Sequence, residues 1–479
     1  MRKTQRISTG MVGLLSVAAA LFALCPSDAA TPARRAIAPK KHGGAAPGKG
    51  GAAVSLDPAA KAQQIGKQFV ELLLRQNYNG AGQLVSPAVA SALSPAVLQQ
   101  AWEGVLASQG ALRQQLSVRS EVAGPYTAVL VACQFNQVLD LKVVVDPTFK
   151  VAGFFIVPHT DGYKAPAYAN GKLFRQSELK VTTGAISLPA TLTLPSGSGP
   201  FPAVVLVHGS GPQDRDESIG PNKPFRDLAQ GLASNGVAVL AYDKRTRFPK
   251  QLGADLDKLT VKEETVDDAL SAVTLLKGIP EIDAKRIFVL GHSLGGMLIP
   301  RIAREGSACG YVIMAGTTRP LQDVLVEQIE YIVSLSKNPS PQEQQELAKV
   351  KAQVARVNSP DLSDKTPAKD LPFNVPARYW LDLRGYDPAA SAREISQPLL
   401  IIQGGRDYQV TPNGDFVRFQ EALVDDKGQP KANCTFKLYP RLNHLFAEGT
   451  GKATPSEYTR PMNVSQTVIR DIADWVKAH

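Results

Sequence analysis

Ile287-Phe288-Val289-Leu290-Gly291-His292-Ser293-Leu294-Gly295-Gly296-Met297 is the stretch whose reading decides the fold. Its first four residues are apolar, with β-branched and aromatic side chains, the composition of a buried strand. Met297, Leu298 and Ile302 then recur at helical spacing, so the chain passes from strand to helix within a few residues. Between them lies Gly-x-Ser-x-Gly. At so sharp a turn the serine is held in a strained backbone conformation with its hydroxyl presented outward. A side chain at Gly291 or Gly295 would collide across the turn. The short pattern alone is unspecific, but the strand before it and the helix after it make Ser293 a candidate nucleophile.

Outward from this turn, strands and helices alternate from about residue 172. Strand signals fall near 186–194, 203–207, 237–242, 287–290, 311–315, 399–403 and 434–439. This is the pattern of a mostly parallel sheet covered by helices, so the expected class is α/β over 172–479. The segment 317–392 is too long for a simple crossover and reads as a helical cap. Val324, Leu325, Ile329, Ile332 and Val333 form one apolar stripe there, and Ser340-Pro341-Gln342-Glu343 is a capping box with proline at the first helical position. Tyr379 and Trp380, near its end, either line a pocket or dock the cap on the sheet. Residues 57–165 read as a small α+β domain: Asp57-Pro58 opens a helix with Ile65, Phe69, Leu72 and Leu73 on one stripe. Short helical stretches follow, then strands at 125–135, 138–145 and 151–157.

The 479 residues carry a formal net charge of +10, but residues 1–56 hold eight Lys or Arg against Asp28 alone, which leaves only +3 for the remainder. The basicity belongs to a leader and a linker, and no nucleic-acid partner is expected. Arg2, Lys3 and Arg6 precede the apolar run 11–24 and the small residues around Ala29, the layout of a secretory signal over 1–29. Export to the periplasm or the medium is therefore expected. The apolar run has 14 residues, short of the roughly 20 that span a bilayer, so no stable membrane span is expected in the mature chain. Cys25 would permit lipoprotein anchoring, against which the bulky Leu24 stands. Residues 30–56, rich in Ala, Pro, Gly and Lys, read as a flexible linker. Cys133, Cys309 and Cys434 are odd in number and far apart, so they read as small buried hydrophobes, and no Cys/His spacing suits a metal.

A serine hydroxyl needs a base within hydrogen-bond reach, most simply an imidazole. Of six histidines, His42 lies in the linker, His159 follows the small domain and His479 is the last residue. His292 adjoins Ser293 and is expected to point away. His208 precedes the nucleophile at a strand end, whereas His444, in Leu-Asn-His-Leu-Phe, follows the last strand signal, and it is the expected base. Asp407 closes a buried strand that opens into Gly404-Gly405-Arg406, which places a carboxylate on the rim where the nucleophile emerges. The chain order is then Ser293, Asp407, His444. Asp323 is the reserve acid. Oxyanion donors are expected from the N–H of Leu294 and the N–H of Ser210 in His208-Gly209-Ser210-Gly211. Arg215, in the charged run 213–217, is a candidate substrate contact, the other reading being a self-paired loop at the mouth.

Val-His-Gly-Ser-Gly-Pro-Gln-Asp-Arg-Asp at 207–216, Tyr-Asp-Lys-Arg at 242–245, Gly-His-Ser-Leu-Gly-Gly at 291–296, Gln-Gly-Gly-Arg-Asp-Tyr-Gln-Val at 403–410 and Asn-His-Leu-Phe at 443–446 together carry a resemblance. Over 172–479 the chain resembles the secreted bacterial α/β-hydrolase esterases related to dienelactone hydrolases and serine-aminopeptidase-like hydrolases. The resemblance implies an α/β-hydrolase fold with a helical cap, preceded by a small α+β domain of the kind such proteins often carry. It implies a Ser293, Asp407, His444 triad acting on a small-molecule ester, with no cofactor. The same machinery would serve an amide or peptide hydrolase with acidic cap groups for a free amino terminus. A non-catalytic envelope binding protein is the reading from another class.

Overall fold

The computed structural model describes residues 57–123, 126–159 and 161–479; the expected signal and linker in 1–56 lie outside the described residues. The described chain divides into two compact units at Gly162 and Tyr163.

The smaller unit begins with helix α1 (Pro58–Leu74), whose Asp57 carboxylate accepts from the N–H of Ala59 while Pro58 occupies the first turn. A short helical turn at Tyr78–Gln83 leads to helix α2 (Pro95–Gln109) and four antiparallel strands in sequential order: β1 (Gln114–Ala123), β2 (Tyr126–Gln134), β3 (Val138–Val145) and β4 (Val151–Pro158). Phe69, Leu73 and Trp102 from the helices pack on Val129, Val131 and Phe135 to form its core. Strand β1 stands where the sequence suggested short helices. Gln-Gln-Leu-Ser-Val-Arg-Ser alternates too weakly for a strand signal, because this edge strand pairs on one side only and leaves most of its side chains in water. Cys133 is fully buried on β2, and burial, then the nearby Asp140 charge, push its thiol up to about 11.

The larger unit is built on eight strands: β5 (Phe174–Thr183), β6 (Ile186–Pro195), β7 (Phe201–Val207), β8 (Ala238–Tyr242), β9 (Ile282–His292), β10 (Gly310–Met314), β11 (Leu399–Gly404) and β12 (Cys434–Tyr439). Their order is β12-β11-β10-β9-β7-β8-β6-β5, parallel from β12 to β8 and antiparallel at β6 and β5. Strands β7, β8 and β10, in the interior of the parallel part, are apolar throughout because both faces are covered, whereas β12 at the edge carries Thr435 and Lys437. Helices α3 (Pro224–Ser234), α4 (Asp267–Lys277) and α5 (Leu294–Glu305) lead to an insertion of α6 (Leu321–Ser334), α7 (Pro341–Asn358) and α8 (Ala377–Leu383), and α9 (Gln466–Ala478) ends the chain. Val289, Ile313 and Ile401 meet α4 and α5 on one face; Phe288, Val312 and Ile402 meet α3 and α9 on the other. Each such side chain contributes about 1.5–3 kcal/mol on burial.

The capping box at Ser340 and Glu343 forms at the start of α7. Strand β5, an edge strand with a polar outer face, had no counterpart in the sequence reading, for the same reason as β1. Residues 163–165, read with the small domain, belong instead to the larger unit: the Tyr163 hydroxyl donates to Asp227 on α3 at 2.7 Å. Among the described residues no helix is long and apolar enough to cross a membrane.

Candidate active site

Strand β9 ends at His292 and α5 starts at Leu294, so Ser293 alone makes the turn, with φ 55° and ψ −115°. A non-glycine residue is strained there, and the surroundings impose the conformation. The Ser293 N–H donates to the carbonyl of Met314 at 2.9 Å. A Cβ on Gly291 would lie 2.3 Å from the carbonyl oxygen of Gly295, and one on Gly295 2.3 Å from that of Val207. The two glycines let the turn close and let α5 pack against the end of β7.

Asp407 follows the Gly404-Gly405 turn after β11 and is 4% exposed. Its Oδ1 accepts from the N–H groups of Gln409 at 2.8 Å and Val410 at 3.0 Å, and its Oδ2 from Gln403 Nε2 at 3.1 Å. The same Oδ2 lies 2.7 Å from Nδ1 of His444. His444 sits on the turn after β12, shaped by Asn443, whose Oδ1 accepts from the N–H groups of Leu445 and Ala447 at 3.1 and 3.2 Å. An Nδ1–H donated to Asp407 leaves Nε2 as the basic nitrogen of the neutral ring.

Ser293, His444, Gly209 and Ser210 line one cavity, together with Gln213, Glu217, Ile219, His292, Gln328 and Gln409. It encloses about 20 Å³, room for one water molecule. Among the described residues the Ser293 hydroxyl and His444 Nε2 make no hydrogen bond to another protein group. The N–H groups of Ser210 and Leu294 are unspent as well, and a Cβ on Gly209 would stand 3.2 Å from Cβ of Ser293. Two free amide donors therefore flank the hydroxyl, one from the turn after β7 and one from the first turn of α5.

His292 does not point away. Its Nδ1 lies 2.9 Å from Glu217 Oε2 and its Nε2 3.0 Å from the carbonyl oxygen of His444, and the two imidazoles stand 4.7 Å apart. With an oxygen acceptor at each nitrogen, the ring satisfies both only as an imidazolium. Burial pulls its pKa down, but the Glu217 charge and hydrogen bond outweigh that and hold it above the ordinary value. Burial likewise pushes Glu217 up, and its partners, His292 foremost, bring it below the usual carboxylate range. Glu217 also has φ 51°, a strained conformation at the rim of the site. His208, by contrast, is stripped of water between Phe225 and Tyr242, and burial holds its pKa at about 4.

The charged run at 213–217 is not self-paired. Asp216 meets Lys223 and Arg226, Arg215 meets Asp243 and Glu178, and Glu217 turns inward. Arg215 therefore does not line the cavity; its guanidinium is spent on β5, β6 and the end of β8. Tyr379 and Trp380 lie outside the cavity too. The Tyr379 hydroxyl donates to buried Glu264 at 2.8 Å, and Trp380 borders a separate hollow of about 490 Å³ between α8 and the start of α6. Both pack with Leu294 and Met297 and so dock the insertion on α5. Asp323, the reserve acid, is exposed on α6 and accepts from Asn358 at 3.3 Å. Sequence reasoning passed over Glu217, His292 and Lys244. The signals for Lys244 were its place two residues past a fully apolar strand, on the edge where ligands gather in such sheets, and its position in the Tyr-Asp-Lys-Arg motif at 242–245. Among the described residues no group of His, Cys, Asp or Glu side chains is arranged to hold a metal ion.

A model of the alpha/beta hydrolase family matches residues 204–453. Esterase EstD of Thermotoga maritima is 37% identical over 415 residues, covering 85% of this chain and 93% of its own. Among solved structures, the Pyrococcus furiosus esterase Pf2001 covers 67% of this chain and 96% of its own at 17% identity, with a TM-score of 0.41. Est1E from Butyrivibrio proteoclasticus covers 63% of this chain and 99% of its own at 15% identity, with a TM-score of 0.39.

Proposed function

The chain belongs to the α/β-hydrolase family, and from that premise we propose that it is a serine carboxylic-ester hydrolase working through an acyl-enzyme on small to medium acyl esters. The observation that carries the reading is the 2.7 Å pairing of Asp407 with His444 Nδ1, on a cavity that Ser293 shares. His444 Nε2 takes the proton of the Ser293 hydroxyl as it attacks the ester carbonyl, and Asp407 holds the imidazolium that forms. The unspent amides of Leu294 and Ser210 receive the negative oxygen, each worth on the order of 3 kcal/mol in such sites. His444 then returns its proton to the leaving alcohol, and water, activated by the same imidazole, releases the acid. The ester reading is supported by the relative named an esterase at 37% identity. An aminopeptidase needs a free carboxylate for the substrate ammonium, and Glu217, the one acid lining the cavity, is committed to Gly209 and His292.

The test offers short aryl esters and aminoacyl arylamides to the purified protein, alongside Ser293→Ala. Ester turnover that falls about a million-fold in the variant is expected, with a fluorophosphonate adduct mapped to Ser293 in the wild type. Wild-type rates in Ser293→Ala would remove the nucleophile assignment, and faster amide than ester turnover would favour the peptidase.

A further inference from the structure

The peptide unit between Gly209 and Ser210 is gripped by buried charges. Lys244, two residues past the end of β8 and 2% exposed, donates through Nζ to the Gly209 carbonyl at 2.8 Å. The same ammonium lies 3.1 Å from Oε1 of Glu264, which is also 2% exposed. The other oxygen of Glu264 accepts from the Tyr379 hydroxyl on α8, in the insertion, at 2.8 Å. Glu217 Oε1 holds the preceding peptide, accepting from the N–H of Gly209 at 2.7 Å.

Withdrawing an ammonium and a carboxylate from water is costly, and apolar side chains of similar size commonly leave a protein no less stable. Stability therefore does not account for this pair, whereas the geometry of the peptide does. A trans peptide is planar, so the carbonyl of Gly209 and the N–H of Ser210 lie in one plane and point in opposite directions. Anchoring the carbonyl on Lys244 aims the amide. The turn would otherwise be loose, since Gly209 and Gly211 flank it and glycine rotates freely; Gly211 itself has φ 87°. A rotation of that one peptide would turn the donor away from the oxyanion and present a carbonyl in its place. Donation from an ammonium to the carbonyl also polarises the amide and strengthens its N–H as a donor.

We propose that Lys244 is a positioning residue that sets the Ser210 N–H in the oxyanion hole, anchored through Glu264 to Tyr379 of the insertion. The proposal rests on the hydrolase reading above, because it requires an oxyanion to be bound. Lys244 itself touches no reacting atom. The line Tyr379, Glu264, Lys244, Gly209 joins the insertion to the donor, so the insertion helps to hold the donor's aim.

The test compares Lys244→Met, Lys244→Arg and the double variant K244M/E264Q, the last removing the charge that Lys244→Met would orphan. For a short aryl ester, kcat is expected to fall about 100-fold in Lys244→Met and in the double variant, with KM within about threefold of wild type. Affinity for an arylboronic acid, which mimics the tetrahedral intermediate, falls by the same factor. Lys244→Arg, able to donate to the same carbonyl, recovers most of the rate. A folded K244M/E264Q with wild-type kcat overturns the proposal, as does a loss confined to KM. Failure of the underlying hydrolase reading shows separately, as a wild-type protein that neither turns over esters nor takes a fluorophosphonate on Ser293.

Discussion

The His292 imidazole donates through Nε2 to the main-chain carbonyl of His444 at 3.0 Å, so the residue before the nucleophile carries the backbone of the proposed base. Its other nitrogen is held by Glu217, which in turn accepts from the N–H of Gly209. One buried ion pair thus ties together the strand-to-helix turn, the turn after β7 and the turn after β12.

That pair makes stability depend on pH. Glu217 is held below the usual carboxylate range, so its contribution is present above the unfolded value of about 4.3 and is lost as pH falls through the depressed folded value. His292 is held above the ordinary value, so its contribution is complete below about 6.5 and is lost as pH rises through the raised folded value. The pair therefore stabilises most between about pH 4.5 and 6.5. His292→Gln alone, which leaves Glu217 buried with no counter-charge, is expected to cost about 3–5 kcal/mol. The double variant E217Q/H292Q recovers part of that loss and weakens the dependence on pH. Urea midpoints at about pH 6 and about pH 9 check this; a double variant that loses as much stability as wild type over that interval would show that the pair does not titrate.

Asp407→Asn separates orientation from charge. The two oxygens of Asp407 accept from Gln409 N–H, Val410 N–H, Gln403 Nε2 and His444 Nδ1, and a carboxamide has only one accepting atom. The two main-chain donors claim it, which turns the amide nitrogen toward His444 and drives the imidazole into the other tautomer. A fall of about 10⁴-fold in kcat is expected, with KM little changed. Nitrogen-15 NMR of the ring reports the tautomer directly, and an unchanged Nδ1–H signal would contradict this account.

The α/β class and the nucleophile's turn were legible because they depend on local backbone demands. Gly291 and Gly295 are required by contacts of 2.3 Å that no side chain could tolerate, whatever the rest of the chain does. Asp407 and His444 were legible because each stands on the turn that follows a strand, Asp407 three residues past β11 and His444 five past β12, and the structure brings their side chains together. Glu217, His292, Lys244 and Glu264 were not. Each is an ordinary charged residue until tertiary packing removes its water, and the partner that makes burial tolerable is in every case distant in sequence or on another element. Strands β1 and β5 escaped for a related reason: an edge strand that leaves most of its side chains in water carries too little alternation to read. Tyr379 and Trp380 read equally well as pocket or dock, because aromatic side chains suit both, and only the Tyr379 bond to Glu264 separated them.

Gly295→Ala tests whether the turn bears any enlargement. The added methyl would meet the carbonyl oxygens of Val207 at 2.3 Å and His208 at 2.7 Å, main-chain atoms at the end of β7 and just past it that cannot swing aside. Overpacking of this kind costs about 1–3 kcal/mol where side chains relax, and more where backbone must move. The variant is expected to lose at least about 3 kcal/mol in urea unfolding and nearly all ester turnover. A variant with wild-type stability would mean that α5 is free to shift outward along its axis.

The last prediction concerns what the cavity admits. The cavity beside Ser293 encloses only about 20 Å³, and Gln328 of α6 lines it, donating through Nε2 to the carbonyl of Gln409 at 3.1 Å. Tyr331, one turn further along α6, donates to the carbonyl of Ala453 at 2.7 Å and stacks on Tyr408 at 4.8 Å, so the helix is fixed over the site at two points. Gln328→Ala removes the wall at the first point and keeps the second. Each methylene that a pocket newly accepts is worth about 1–3 kcal/mol in transition-state binding. The rate constant kcat/KM for butyrate and hexanoate aryl esters is therefore expected to rise about tenfold relative to acetate, with the acetate rate nearly unchanged. A chain-length profile identical to wild type would place the acyl group elsewhere and assign α6 no part in selecting it.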